Sequence, residues 1–282
     1  IFKSYIMSKV IVLGSKGFIA SNIIKKLKEK RYKFSSYSKK SINLENLSNA
    51  KKLAKIILKD DEIIFTSAVA PAKNIHDFKK NINMVINFSK VLNNLEFKKL
   101  IYISSDAIYS DSKKPLKEAS KKCPDNWHGL MHLMRENILK RSFNKKKLVI
   151  VRPTLVYGKG DTHSGYGPNL FIKRAKKNKN IVLFGNGEEL RDHIWINNLS
   201  EIIVMLLKKQ ISGEFNICTS KLISFRNIAN IVAKKFKNKI ENKKRIGKMP
   251  HNGYRPISNQ KLLKIFPKYK FADIRNVINN NY

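Results

Sequence analysis

The 282-residue chain is poor in cysteine, with Cys123 and Cys218 alone, and has no apolar run near the ~20 residues that a bilayer span needs. Two cysteines exclude a disulfide framework and fit a reducing, cytoplasmic setting. The clearest apolar run is Ile202–Leu207, and no secretory apolar segment precedes the first expected strand, so no membrane partner is expected. Met7-Ser-Lys reads like a natural start, so the six residues before it are expected to be additional. Acidic residues are also scarce: 20 Asp and Glu stand against 58 Lys and Arg, a formal net charge of +38. That charge favours weak, salt-sensitive adhesion to polyanions. A dedicated nucleic-acid surface would cluster arginine among aromatics, yet only ten of the 58 basic residues are arginine. Lysine is spread over nearly every segment together with Asn and Ile, the bias of an AT-rich coding sequence. Specific nucleic-acid binding is therefore not expected.

What the chain does have is enough apolar content, 42%, for a full core in one large α/β domain or two interlocked ones. In Lys9-Val-Ile-Val-Leu-Gly14-Ser-Lys16-Gly17-Phe18-Ile19-Ala20, an apolar run ends in a glycine, a second glycine follows, and a helical pattern starts. Phe18, Ile19, Ile23, Ile24 and Leu27 then recur at a spacing that puts them on one helix face. This is a strand, a tight turn and a helix N-terminus, the arrangement that seats the pyrophosphate of a dinucleotide. The third glycine of the usual spacing is Ala20, a packing position that tolerates a small residue.

Further strands are expected at Tyr32–Ser38, Glu62–Ser67, Lys99–Ser104 and Lys147–Val151, and helices at Leu47–Leu58, Ile75–Leu95 and Asp125–Phe143. This alternation implies an α/β fold, a Rossmann-like doubly wound parallel sheet with ligands beyond the carboxyl ends of its strands. After Val151 turn residues cluster at Gly158–Asp161 and Ser164–Pro168, and short strands (Ile181–Phe184, Glu214–Cys218) mix with helices (198–208, 224–236, 259–265). The expected division is a dinucleotide-binding domain over 7–153 and a smaller, partly interwoven substrate-binding domain over 154–282, with elements around 191–220 returning to the first.

Ordered motifs now carry a resemblance: Gly14-Ser-Lys-Gly17-Phe-Ile; Asn81 and Asn87 on one long helix; Ile101-Tyr-Ile-Ser-Ser105-Asp106-Ala-Ile-Tyr109; Val151-Arg152-Pro153-Thr-Leu-Val-Tyr157-Gly; and Phe184-Gly-Asn-Gly187-Glu-Glu-Leu-Arg191-Asp-His-Ile-Trp-Ile. From Val10 to about Leu263 the chain resembles the extended short-chain dehydrogenase/reductase family, the nucleotide-sugar epimerases, dehydratases and reductases. The resemblance implies reversible hydride transfer at a sugar carbon. It places Ser105 as the sugar-hydroxyl ligand, with Asp106 and Tyr157 also on the substrate side. It places Gly14, Lys16, Gly17, Phe18, Ile19, Asn43, Leu44, Ala68 and Pro153 around the cofactor, and Arg191 and Arg255 as clamps on a nucleotide diphosphate. A planar guanidinium suits that role through paired, charge-assisted bonds. It also implies a homodimer built on the two long helices.

One departure matters. The family's Tyr-Gly-x-Ser-Lys, with Glu four residues on, corresponds to His128-Gly-Leu-Met-His132-Leu-Met-Arg-Glu136. Three readings stand open. His128 is the acid/base, since imidazole titrates near pH 6.5, with His132 on the nicotinamide ribose; or the dyad has decayed and the protein only binds; or the pair, at i and i+4, ligates a metal.

Cofactor choice follows from the second strand. An NAD site expects an acid about 20 residues past the glycines, but Ser35-Ser-Tyr-Ser38-Lys39-Lys40 occupies that place, favouring the 2′-phosphate of NADP slightly over NAD. The leading expectation is an NAD(P)-dependent oxidoreductase or epimerase acting on a nucleotide-activated sugar for surface polysaccharide synthesis. The rivals are a cofactor-binding regulatory member without turnover and, more distantly, an RNA-associated member.

Overall fold

Residues 8–161 and 165–282 are described by the computed structural model. The expected start at Met7, the six residues before it and Ser164 of the second turn cluster lie outside the described residues. The first half of the chain runs β1 (Val10–Leu13), α1 (Phe18–Glu29), β2 (Phe34–Tyr37), α2 (Leu47–Ala50), β3 (Glu62–Phe65), α3 (Ile75–Leu92), β4 (Lys99–Ile103), α4 (Trp127–Ser142) and β5 (Leu148–Pro153). The second half continues β6 (Leu155–Tyr157), α5 (Pro168–Ala175), β7 (Ile181–Phe184), β8 (Leu190–Arg191), β9 (His193–Trp195), α6 (Ile196–Leu207) and β10 (Gly213–Ile217). It ends with β11 (Ile223–Ser224), α7 (Phe225–Phe236), β12 (Ile240–Lys243), β13 (Tyr254–Arg255), α8 (Gln260–Ile265) and α9 (Ile274–Asn281).

The chain forms two compact units. The first takes the described residues through Ser110, Lys121–Arg152 and Ser200–Phe215; the second takes Asp111–Ser120, Pro153–Leu199 and Asn216–Tyr282. In the first, a six-stranded sheet has the order β10-β5-β4-β3-β1-β2. The pairings β2-β1, β1-β3, β3-β4 and β4-β5 are all parallel, which is the expected Rossmann-like sheet. Strands β1, β3, β4 and β5 are buried along their whole length. This is why their centres read as apolar runs and not as alternating ones, with Glu62, Lys99 and Arg152 confined to the strand ends: helices cover both faces. Phe65 of β3 stacks on Phe88 of α3 with ring centroids 4.3 Å apart, and each such fully buried side chain contributes ~1.5–3 kcal/mol.

Helix ends follow their caps. Asn74 accepts from the Asp77 N–H at the start of α3, and Asn126 from the Gly129 N–H at the start of α4. The expected helix over 47–58 is shorter: α2 stops at Ala50 and a 3₁₀ turn covers Lys51–Lys55. The tighter winding serves the buried Ala50, Leu53 and Ile57, and a lysine-rich segment without acidic partners has little helix pairing to oppose it.

The second unit holds a three-stranded sheet, β11-β8-β13, and the pairs β12-β7 and β6-β9. Its core gathers Phe171, Leu183, Phe225, Ile228, Val232 and Ile278 from α5, β7, α7 and α9. Among the described residues no helix is long and apolar enough to cross a membrane.

Candidate functional site

The strand order reverses between β1 and β3, the place where a doubly wound sheet opens a crevice beyond its strand ends. A cavity of about 270 Å³ lies there. Eight of the residues assigned to the cofactor line it: Gly14, Lys16, Gly17, Ser38, Lys39, Asn43, Leu44 and Ala68. Phe18, Ile19 and Pro153 do not. Phe18 and Ile19 open α1, where backbone N–H groups have no partner inside the helix; no acidic side chain stands in that first turn and no side chain caps it. Pro153 is the buried last residue of β5.

Gly14 has φ +93, and a Cβ there would lie 2.7 Å from Thr66 Oγ1 and 2.8 Å from the Ser67 N–H nitrogen. The glycine turn is thus a cradle that a side chain would fill, and its electrostatics suit a pyrophosphate. The residues present fit a dinucleotide. Gly14→Ala is expected to weaken NADPH binding by about 10- to 100-fold, from ~1–3 kcal/mol of backbone strain, in a fluorescence titration. Unchanged affinity would place the pyrophosphate elsewhere.

Two site residues escaped the sequence reading. Glu45 also lines the cavity and pairs with Lys39 at 2.7 Å. No acid occurs in β2, but the chain returns one three residues after Ile42. Arg135 is fully buried, donates to the Ser67 carbonyl at 2.8 Å and to Asn81 Oδ1 at 3.1 Å, and lies over the rings of Phe65 and Tyr102. Asn81 in turn grips both backbone groups of Val69. Together they hold the loop that follows β3. Asn87 does the same for Leu44, donating to its carbonyl.

Ser105 lies two residues past β4 and caps a short turn (Asp106–Ile108), its Oγ accepting from the Ala107 N–H at 3.1 Å. Asp106 is buried beside it. Gly129 presses the first turn of α4 onto this turn, because a Cβ at 129 would collide with the Ala107 carbonyl. His128 sits next to that glycine, with its ring edge-on to His132, centroids 4.7 Å apart and planes at 88°.

His132 is buried, and its Nδ1 lies 2.7 Å from the Tyr102 hydroxyl. Burial first, then the neighbouring His128 and Arg135, hold the His132 imidazole well below its usual range. Burial pushes the Tyr102 hydroxyl up, so it keeps its proton. The bond between Tyr102 and Nδ1 is thus one between two neutral groups, a protonated phenol and an uncharged imidazole. Among the described residues no group of three His, Cys, Asp or Glu side chains could hold a metal ion.

Beneath these groups runs a buried network. Arg152 donates to Glu136 through Nε at 2.9 Å and Nη2 at 2.7 Å, Ser104 Oγ donates to the same carboxylate at 2.7 Å, and Arg152 Nη1 reaches the Tyr109 hydroxyl at 2.8 Å. It ties β4, α4, β5 and the segment after Ser105 into one piece.

In the second unit Tyr157 is buried, and burial raises its hydroxyl. Arg191 and Arg255 face one another in register on β8 and β13. Asp192 is occupied by the hydroxyls of Thr154 and Thr219 and by the N–H of Lys221.

Comparison with known proteins agrees with this fold. The GDP-6-deoxy-D-talose 4-dehydrogenase of Aggregatibacter actinomycetemcomitans is 27% identical over 286 residues, covering 97% of each chain. The structure is similar to UDP-glucose 4-epimerase of Thermus thermophilus in complex with NAD, with a TM-score of 0.83 at 20% identity and 96% of each chain covered. It is also similar to a GDP-L-fucose synthetase from Naegleria fowleri bound to NADP, with a TM-score of 0.81 at 16% identity, covering 96% of this chain and 92% of that one. The family model described as "NAD dependent epimerase/dehydratase family" matches residues 10–218. With that match over more than half its length, the chain belongs to the NAD dependent epimerase/dehydratase family.

Proposed function

We propose that this protein is a nicotinamide-dependent oxidoreductase or epimerase acting on a nucleotide-activated sugar, in surface polysaccharide synthesis, in the cytoplasm. The observation that carries the reading is the glycine cradle at the sheet's switch point, with His128 held beside the Ser105 turn in the same unit. Residues 7–153 supply the dinucleotide part and 154–282 the substrate part, with elements around 191–220 returning to the first.

When bound, the nicotinamide supplies the hydride acceptor and donor. The chain's own groups handle the proton. Ser105 orients the sugar hydroxyl, His128 takes or returns its proton, and neutral His132 stands where the family carries a lysine. Proton loss must accompany hydride loss from a carbinol, so the base has to stand within ~3 Å of that oxygen. Arg191 and Arg255 hold the diphosphate. Identification of the nucleotide that copurifies, followed by a panel of UDP-, GDP-, CDP- and dTDP-sugars, tests the reading. Product from one sugar supports it; cofactor binding without turnover of any sugar favours the regulatory reading.

NADP is our preferred cofactor, since Lys16, Ser38, Lys39 and Lys40 line the cavity. Glu45 opposes that preference through its pair with Lys39. Glu45→Gln is expected to raise NADPH affinity over NADH severalfold, from the ~1 kcal/mol of an exposed ion pair. An unchanged ratio in paired titrations would remove Lys39 from the 2′-phosphate.

A homodimer accounts for the apolar faces of α3 and α4. Ile75 is 60% exposed, and Trp127, Leu130 and Met134 form an exposed stripe on α4. A second copy of the same face is the complement we expect. Light scattering should give twice the chain mass, and Leu130→Lys should halve it; a monomeric wild type would refute the dimer.

A further inference from the structure

The parallel register of β8 and β13 sets Arg255 directly opposite Arg191. Residues paired in this way present their side chains to one face, and the charges of both arginines act on the same imidazole, that of His251. Arg255 is 1% exposed, yet its carboxylate partner, Asp111, is exposed. Asp111 Oδ1 accepts from Arg255 Nη1 at 2.9 Å and lies 2.5 Å from His251 Nδ1; Nη1 and Nδ1 are 3.0 Å apart. A separation of 2.5 Å requires a proton between the imidazole nitrogen and the carboxylate oxygen. One carboxylate oxygen thus serves two donors.

The loop that delivers His251 is held in an unusual backbone. His251 (φ 53) and Asn252 (φ 49) are consecutive non-glycine residues in the left-handed region, followed by Gly253 at φ 75. Such conformations persist only where the surroundings impose them, and they collect at binding sites. His251 adds little to the core; what the loop achieves is to bring an imidazole onto the arginine pair.

We propose that Asp111, His251 and Arg255 form an exchangeable latch, in which an organic diphosphate replaces the Asp111 carboxylate on Arg255 and His251 becomes a further donor to the same ligand. The proposal rests on the nucleotide-sugar reading above and adds two residues to it. The exposed carboxylate is the part able to swing away, while the buried guanidinium stays. Before binding, Asp111 offsets the repulsion between the two arginines; after binding, the diphosphate does so with two charges instead of one.

The charged groups facing His251 are Asp111, Arg255 and Arg191. Burial first, then Arg255 and Arg191, hold its imidazole below the usual range, against the pull of Asp111. A bound diphosphate neutralises both arginines, so His251 takes up a proton on binding. Uptake on binding means affinity that falls as pH rises through the histidine range.

Calorimetry with UDP-, GDP-, CDP- and dTDP-glucose and with inorganic pyrophosphate tests the latch on the full chain. The sugar nucleotides are used for the pH series, since their internal diphosphate does not titrate there. Asp111→Asn is expected to bind about three- to tenfold tighter than wild type. His251→Gln is expected to bind about tenfold weaker and to lose the pH dependence. Equal or weaker binding by Asp111→Asn overturns the latch, and so does binding by His251→Gln that keeps the wild-type affinity and pH profile. Should His251→Gln fail to fold, Asp111→Asn decides alone. Pyrophosphate bound, and bound tighter by Asp111→Asn, with no sugar nucleotide bound, keeps the latch and overturns the nucleotide-sugar reading. No binding of any of these by wild type or by Asp111→Asn overturns the latch as well.

Discussion

Replacing His128 by alanine is expected to lower turnover about 10²- to 10⁴-fold, the range of a general acid or base, with NADPH affinity near that of wild type. His128 lies on the first turn of α4, outside the residues that line the cofactor cavity. Its neighbour His132 cannot act as the family's lysine does. Burial keeps that imidazole uncharged, and Tyr102 occupies its Nδ1. A phenol at 128 would then lack the cation that lowers it toward neutrality, whereas an imidazole needs no such help. His128→Tyr is therefore expected to lose turnover as His128→Ala does. Full turnover in His128→Ala, measured at saturating cofactor, would remove His128 from the chemistry.

The second large effect is on stability. Glu136→Ala is expected to cost about 3–5 kcal/mol, because it leaves the buried Arg152 guanidinium without its counter-charge. Burial works against the Arg152 charge, and the hydrogen bonds and field of Glu136 more than offset it. Both side chains are fully buried and the pair is bidentate. Ser104 would lose its acceptor in the same step. Chemical denaturation of the variant should show the transition at much lower denaturant. A midpoint equal to wild type would mean that Glu214, 3.9 Å from Arg152, can stand in for Glu136.

Much of this was legible in the chain. Strands β1, β3, β4 and β5 announce themselves because burial on both faces keeps their centres apolar and leaves charged residues such as Glu62, Lys99 and Arg152 at their ends. The glycine turn was legible because only glycine tolerates the approach of Thr66 and Ser67 at Gly14. The short strands were not: β8 and β13 have two residues each, too few for any period, yet their register is what pairs Arg191 with Arg255. Glu45 was missed because its role comes from the chain folding back toward Lys39, not from its place in β2. Arg135 was missed because a single arginine on a helix reads as a solvated charge; only the fold shows it buried against Phe65, Tyr102 and the Ser67 carbonyl. Asn252-Gly253 marks a turn locally, but nothing in the sequence shows that it carries His251 onto Arg255 and onto Asp111, 140 residues away along the chain. Residues that act alone at the end of a strand could be read, while those that act through a partner far along the chain could not.

The central claim is that bound nicotinamide and His128 turn over a nucleotide sugar. Its most direct test is rapid mixing of the cofactor-loaded protein with each sugar nucleotide while the nicotinamide absorbance is followed. A substrate-dependent absorbance change with one sugar nucleotide, lost in His128→Ala, is the expected result. Tight binding of that sugar nucleotide with no change in the nicotinamide absorbance would contradict it.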